Sequence, residues 1–356
     1  MRFVISFLLT LQFFSIVSIA EEQSKVDPIK IGLIGSLSSF AASYGTAVLE
    51  GARLAESELK ARGARIELLV EDDQSVSKNT ASAYSKLVKL DKVQGIIGGS
   101  WWLNAIAKQS ERDEIPLLSC ETLYNLDTVS AKTYFLLQGD LRDWIRAFLP
   151  VVEAKGWKSG AIVRYVSGFG QTLSEEMRSL FSQGGRNFLG EITYNDIHLG
   201  DAQDIVLKIK RLQPEVLYID AQPGGFAGLL RKMAEAGLAK TVILSNSIAE
   251  DAWRDKLVDY ELFPNVYSSK RITHAESFRR RFREHYKREP LLNADLGYYA
   301  LLLVHQALQQ NDPIATLAKG IEIQGIEFLF NDNNVFSGAP QEVWRLTSAG
   351  LRRDWR

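Results

Sequence analysis

Short apolar runs alternate with amphipathic stretches along the chain. Residues 29–35 and 65–71, and the pairs Ile96-Ile97 and Leu117-Leu118, are apolar enough for strands covered on both faces. Between the first two, residues 46–62 place Val48, Ala52, Ala55 and Leu59 on one helical face, and Gly63 stops the helix. Residues 79–90 repeat the pattern with Ala83, Leu87 and Leu90 inward. The order β-α-β-α-β-α-β predicts a doubly wound parallel sheet with right-handed crossovers.

The rhythm then restarts. Strands are expected at 134–138, 161–166, 188–194, 215–221, 242–246 and 265–268, with helices at 142–154, 170–183, 202–211 and 226–236. These are too many units for one modest sheet, so two α/β lobes of similar plan are expected, divided near Gly139. Residues 275–286 and 293–309 read as successive helices with no strand between them. They suggest that the chain crosses back to cover the first lobe. A third helix at 312–319 and two strands, 325–330 and 341–346, around the turn 331–334 complete the pattern.

Candidate chemistry lies where the strands end. In an open parallel sheet the carboxyl ends of the strands form the crevice that holds ligands. One strand ends at Gly98-Gly99-Ser100 and the next at Ser119-Cys120-Glu121-Thr122, and two adjacent indoles, Trp101-Trp102, follow the first. The indoles either line a site or plug a gap. Tryptophan needs a partner for its N–H and is rarely fully buried, so ligand contact is expected for at least one of them. Ser100, Ser119 and Thr122 offer hydroxyls for a polar head. Asp72-Asp73 point to opposite faces of a strand and are expected to brace loops rather than act together.

Composition narrows the choice. The 356 residues are 46% hydrophobic and 24% charged with a formal net charge of −1, an ordinary globular balance that implies neither nucleic acid nor an anionic membrane as partner. The basic, aromatic run 278–283 reads as a solvated helix face with Phe278 and Phe282 inward. Residues 1–20 read as a secretory leader: Arg2, an apolar core at 4–17, and Ser18-Ile19-Ala20 as a small-x-small cleavage site. The apolar run is short of the roughly 20 residues that span a membrane; a retained anchor is the competing reading. Cys120 is the single cysteine, which excludes an internal disulfide and a CxxC centre.

Enzyme signals are scarce. The sequence holds no GxGxxG, no GxxxxGK[ST] and no GxSxG, and its four histidines form neither HxxxH nor HExxH. Neither catalysis, a metal nor a cofactor is expected. The Asn/Asp turn 331–334 lacks the Gly and Glu of a calcium loop and reads as a plain hairpin turn.

Several segments, taken in order, resemble the type I periplasmic binding proteins of the branched-chain amino-acid and amide group (leucine/isoleucine/valine-binding-like). Residues 29–35 with Ser38-Ser39 and Ala42-Ser43-Tyr44-Gly45 are similar to that family's opening G-x-x-S-G-x-x-A-x-Y-G. LLVEDDQS, VQGIIGG and EIPLLS look like its next three strands, Ser167-Gly168-Phe169-Gly170 resembles D-x-x-Y-G, and LLRKMAEAGL resembles a typical helix. The resemblance covers essentially the whole chain after the leader. It implies two doubly wound parallel-sheet α/β lobes joined by a three-crossing hinge near Gly139, Arg271 and Phe328, closing on a small solute. The lobes would be 28–138 plus 272–327, and 139–271 plus 328–356.

The resemblance carries ligand residues only in part. Thr122 matches the hydroxyl that holds the ligand carboxylate, and Tyr44 a first-lobe pocket aromatic. Phe169 stands where a tyrosine is usual, Trp102 where a serine also holds the carboxylate, Gln222 where an aromatic is expected, and Ser247 at or near the acid that pairs the ligand's ammonium. The amine partner is thus missing from its usual place, which argues against a standard α-amino acid. Glu121 or Asp220 are left as sources of charge from another angle.

Three functions follow as expectations. The first is a monomeric periplasmic protein that captures an amino-acid-like or aromatic carboxylate solute and hands it to an ABC permease and its ATPase. The second is a sensing module for a membrane receptor kinase, which neighbouring genes would distinguish. The third is an exported α/β enzyme, which conversion of the bound molecule would reveal.

Overall fold

A computed structural model describes residues 27–38, 42–121, 131–196, 199, 202–221, 223–246, 263, 265–271, 276–337, 341–347 and 350–355. The expected leader 1–20 lies outside these residues, as do Thr122, Gln222 and Ser247. Elements are numbered among the described residues alone.

The first lobe is built from β1 (Ile29–Gly35), α1 (Ala42–Ala61), β2 (Ile66–Asp72), α2 (Ser77–Ser85, continued by a π-turn to Leu90), β3 (Gly95–Gly99), a 3-10 turn (Leu103–Ile106) leading into α3 (Ala107–Arg112), β4 (Leu117–Ser119) and β5 (Tyr134–Leu136). The five strands are parallel in the order β2-β1-β3-β4-β5. Alternate residues face opposite ways, so the sheet has two buried faces. Ile31, Leu33, Ile97 and Leu118 enter one core, and Ile34, Ile96, Leu117 and Tyr134 the other.

The second lobe repeats the plan. Its elements are α4 (Asp143–Arg146), α5 (Leu149–Lys155), β6 (Ser159–Tyr165), α6 (Gly168–Leu180), β7 (Asn187–Tyr194), α7 (Ala202–Leu212), β8 (Val216–Ile219), α8 (Pro223–Glu235), β9 (Val242–Ser245) and β10 (Val266–Arg271). The order β7-β6-β8-β9-β10 mirrors that of the first lobe, and β13 (Gln341–Thr347) and β14 (Gly350–Trp355) extend it antiparallel beyond β10. The single helix expected at 142–154 is two short ones. Pro150, in the first turn of α5, lacks the N–H a continuous helix needs there.

The return helices are α9 (Glu276–Tyr286) and α10 (Ala294–Ala307), followed by α11 (Pro313–Lys319) and the hairpin β11 (Ile321–Ile323)–β12 (Ile326–Phe328). Thirteen of the fourteen residues of α10 are buried, because it lies across α1 in the first-lobe core. The approach is close enough to exclude a side chain. A Cβ on Gly51 would sit 1.7 Å from the Ala294 carbonyl oxygen, and one on Gly297 2.0 Å from that of Val48. Phe278 and Phe282 point inward as the sequence implies.

The chain stays with the first lobe beyond the expected boundary at Phe328. Phe328 and Phe336 stack in its core at 5.1 Å, and Val335 bridges to Leu136 of β5. The next described element, β13 from Gln341, pairs with β10 in the second sheet. The Asn331 side chain shapes the turn before it, accepting hydrogen bonds from the amides of Asn333 and Val335 at 3.0 Å each.

Candidate functional site

The carboxyl edge of the first sheet is organised by one buried carboxylate. Asp73 is fully buried just past β2. Its Oδ1 accepts from the Ser36 hydroxyl at 2.8 Å and the Ser75 amide at 2.9 Å; its Oδ2 accepts from the Thr80 hydroxyl at 2.8 Å and from the Ser100 hydroxyl. It thus ties the ends of β1 and β3 and the start of α2 to the end of β2. Asp72 faces the other way and accepts from the amides of Leu37 (2.8 Å) and Gln74 (2.9 Å) and the Ser38 hydroxyl. Burial opposes its charge, but these donors hold it below the usual carboxylate range. The pair is a loop brace: each aspartate accepts from the amide two residues on, which supports the left-handed turn at Gln74 and Ser75.

This network decides which first-lobe residues remain available. The Ser100 hydroxyl donates to Asp73 and accepts the Trp102 amide at 3.1 Å. Ser119 donates to the Glu121 carbonyl at 3.1 Å and accepts the Glu121 amide at 3.2 Å. Both hydroxyls, expected to meet a ligand, are engaged within the protein. Glu121 is buried and accepts from Asn293 Nδ2 at 3.2 Å, at the start of α10. Gln138, at the first crossing, donates to the other end of the same asparagine side chain at 3.5 Å. Glu121 therefore faces the return helix.

The two indoles part company. Trp102 donates its ring N–H to the Ser75 carbonyl at 2.8 Å, so it braces the turn after β2 while remaining 38% exposed. Trp101 turns toward Tyr44, with ring centroids 6.1 Å apart and tilted by 47°. Tyr44 lies in the first turn of α1 rather than in the loop the sequence implies. The helix begins this early because Gly45 lets it press onto β1: a Cβ there would sit 2.4 Å from the Ser36 carbonyl oxygen. Tyr44 and Trp101 are both half-buried and form an aromatic wall at the sheet edge.

The corresponding edge of the second lobe carries Phe169, in the first turn of α6, edge-on to Trp144 of α4 at 5.7 Å. Ser167 caps that helix by accepting the Gly170 amide at 3.0 Å. Beside it lies a charged cluster that the sequence motifs did not single out. Arg164 of β6 is buried and forms two parallel hydrogen bonds to Glu191 of β7, at 2.9 and 3.0 Å, and a third to Gln171 at 2.8 Å. The guanidinium holds Glu191 below the usual carboxylate range. Asp220 follows β8 on the same face of the sheet. Burial pushes its carboxyl up to about 7, against the Tyr165 amide and the charge of Arg164. The sequence left Asp220 as a source of charge, whereas Arg164 and Glu191 carried no such signal. Among the described residues no three His, Cys, Asp or Glu side chains converge as a metal site.

Two doubly wound sheets of one plan, with aromatic side chains at the carboxyl edge of each, define a two-lobed binding protein. A family profile described as periplasmic binding protein matches residues 28–334, and the chain belongs to that family. The fold is shared with solved structures of low sequence identity. A substrate-binding protein of an ABC transporter from Sphaerobacter thermophilus superposes with a TM-score of 0.80 at 17% identity, over 93% of this chain and 97% of that one. LivJ from Streptococcus pneumoniae, in complex with isoleucine, gives 0.73 at 19% identity over 92% and 100%. A solute-binding protein of an ABC transporter from R. palustris, in complex with benzoate, gives 0.73 at 18% over 92% and 96%. No curated protein sequence matches the chain. The family and these structures are solute-binding proteins, not enzymes.

Proposed function

We propose that the protein captures a small organic solute, amino-acid-like or an aromatic carboxylate, between its two lobes and delivers it to an ABC-type permease and ATPase. The observation that carries this reading is the matched pair of aromatic edges, Tyr44 with Trp101 in one lobe and Phe169 with Trp144 in the other. Such rings give an apolar slot whose area is removed from water only when both lobes close, so the ligand favours the closed state. Structures of the same fold hold isoleucine, benzoate and 4-hydroxybenzoate, solutes with an apolar body and a polar end. In this reading Thr122 and the neighbouring backbone hold the polar end, Gln222 and Ser247 border the slot from the second lobe, and Trp102, Ser100, Ser119 and Glu121 support the wall from behind. The protein works as a monomer in the periplasm after removal of residues 1–20.

The test is native mass spectrometry of the protein purified from its own host, with thermal melting in the presence of isoleucine, benzoate and 4-hydroxybenzoate. A co-purified small solute, or a rise in melting temperature with one of the three, is expected. No retained solute and no response would sink the reading. Uptake into vesicles carrying the permease and ATPase tests delivery.

A further inference from the structure

Gln138 is a buried side chain whose polar atoms are poorly served. It is 6% exposed, its Nε2 reaches Asn293 Oδ1 only at 3.5 Å, and its Oε1 accepts no hydrogen bond among the described residues. Buried polar atoms are ordinarily paired, and an acceptor left unmade keeps the full cost of losing water.

The backbone places this side chain on a pivot. Leu137 is still held by the first sheet, its amide donating to the Ser119 carbonyl at 2.9 Å. Asp140 already belongs to the second lobe. Its side chain accepts the Arg142 amide at 2.9 Å and its carbonyl the Asp143 amide at 3.1 Å, at the start of α4, whose Ile145 lies in the second-lobe core. Between Leu137 and Asp140 stand only Gln138 and Gly139, and Gly139 takes a left-handed φ of +88°. A hinge is a few residues that absorb a change in φ and ψ, and the first crossing concentrates that change on these two.

The partner of Gln138 cannot follow such a rotation. Asn293 is fully buried, left-handed at φ +70°, and donates to Glu121 at 3.2 Å. It opens α10, which is pressed onto α1 too closely for a side chain at Gly51 or Gly297. Rotation at Gln138-Gly139 therefore moves one end of the 3.5 Å contact against a fixed end.

We infer that Gln138 is a positioning residue of the hinge: its carbonyl oxygen is unpaired in the lobe arrangement described here and paired in a rotated one, so this side chain weights the balance toward the rotated arrangement. It touches no solute. It acts on capture through the fraction of molecules whose lobes stand in the binding arrangement. This rests on the solute-capture reading above.

The test replaces the amide by apolar groups. Gln138→Met keeps the length and unbranched shape and removes both polar ends; Gln138→Leu is the second variant. Cys120, the single cysteine, is buried, so spin labels go selectively to Lys89→Cys in the first lobe and Lys210→Cys in the second, both exposed. Double electron–electron resonance on the full chain reads the distance between the lobes, with and without isoleucine, benzoate and 4-hydroxybenzoate, and calorimetry reads the affinity of any probe that binds. Two distances are expected, one of them that of this structure. In Gln138→Met the ratio of this arrangement to the other rises on the order of tenfold, and stability to urea does not fall, because an unpaired acceptor has been removed. Affinity changes by the same factor as the population of the binding arrangement, which a merely structural role would not produce. An unchanged distance distribution in both variants, a shift toward the rotated arrangement, or failure of both variants to fold overturns the inference; solute capture stands if a probe still binds. No response to any probe, with no solute retained from the host, overturns solute capture, while the solute-free distances still decide the role of Gln138.

Discussion

Removing the Asp73 carboxylate should loosen the whole carboxyl edge of the first lobe. In Asp73→Ala, the Ser36, Thr80 and Ser100 hydroxyls and the Ser75 amide lose a fully buried acceptor. Thr80 has a fallback, the Val76 carbonyl at 3.3 Å. Among the described residues the Ser36 and Ser100 hydroxyls have no second acceptor, and each stranded buried donor costs about 1–3 kcal/mol, so the loss is about 2–6 kcal/mol. Asp73→Asn separates charge from shape. Its oxygen keeps Ser36 and Ser75, and its amide meets two hydroxyls that can rotate to accept, so its cost is about 1–2 kcal/mol. Urea unfolding followed by tryptophan fluorescence reads both, since Trp101 and Trp102 follow Ser100 directly. A loss under about 1 kcal/mol for Asp73→Ala, or equal losses for the two variants, would refute the assigned hub.

Other expectations concern packing, the aromatic edge and pH. Gly297→Ala forces α10 away from α1, because the new Cβ would lie 2.0 Å from the Val48 carbonyl oxygen; a stability loss of about 2–4 kcal/mol in urea unfolding is expected, and a loss below about 1 kcal/mol would contradict this packing. Trp101→Ala should abolish ligand-induced thermal stabilisation, whereas Trp102→Phe should lower the unliganded melting temperature and keep the ligand response; the reverse outcome assigns the indoles wrongly. Asp220 has a folded proton affinity raised from 3.8 to about 7, so its contribution to stability is fully present below about pH 4 and is lost as pH rises toward 7. Asp220→Asn lacks that loss, and its stability relative to the parent should rise by up to about 2–3 kcal/mol between pH 5 and pH 8. Parallel pH profiles for the two proteins would refute the assignment.

The lobes, their strands and the aromatic candidates were legible in the chain because they depend on local pattern. Apolar runs at the right spacing must be buried, and a strand that alternates with helices has one economical sheet to join. The hinge boundary was less legible. Phe328, Val335 and Phe336 read as the start of the second lobe, yet Phe328 packs on Tyr299, Val335 bridges to Leu136, and Phe336 stacks on Phe328 in the first-lobe core.

By itself the sequence determined the two α/β lobes and the return of the C-terminal helices, and it set the candidate residues at strand ends, all consequences of periodicity and chain order. Only the tertiary structure decided which polar groups remain available there. Ser100 and Ser119 are residues of the right type at strand ends, but Asp73 and Glu121 engage them. Trp101 and Trp102 are chemically identical neighbours, but only one has its N–H fixed by Ser75. Asp220 is a candidate charge in the sequence, but its place beside the paired Arg164 and Glu191 and under the first turn of α6 exists only once β6, β7 and α6 surround it. Whether a polar side chain is satisfied depends on atoms distant in sequence, and hydrophobic pattern carries no record of them.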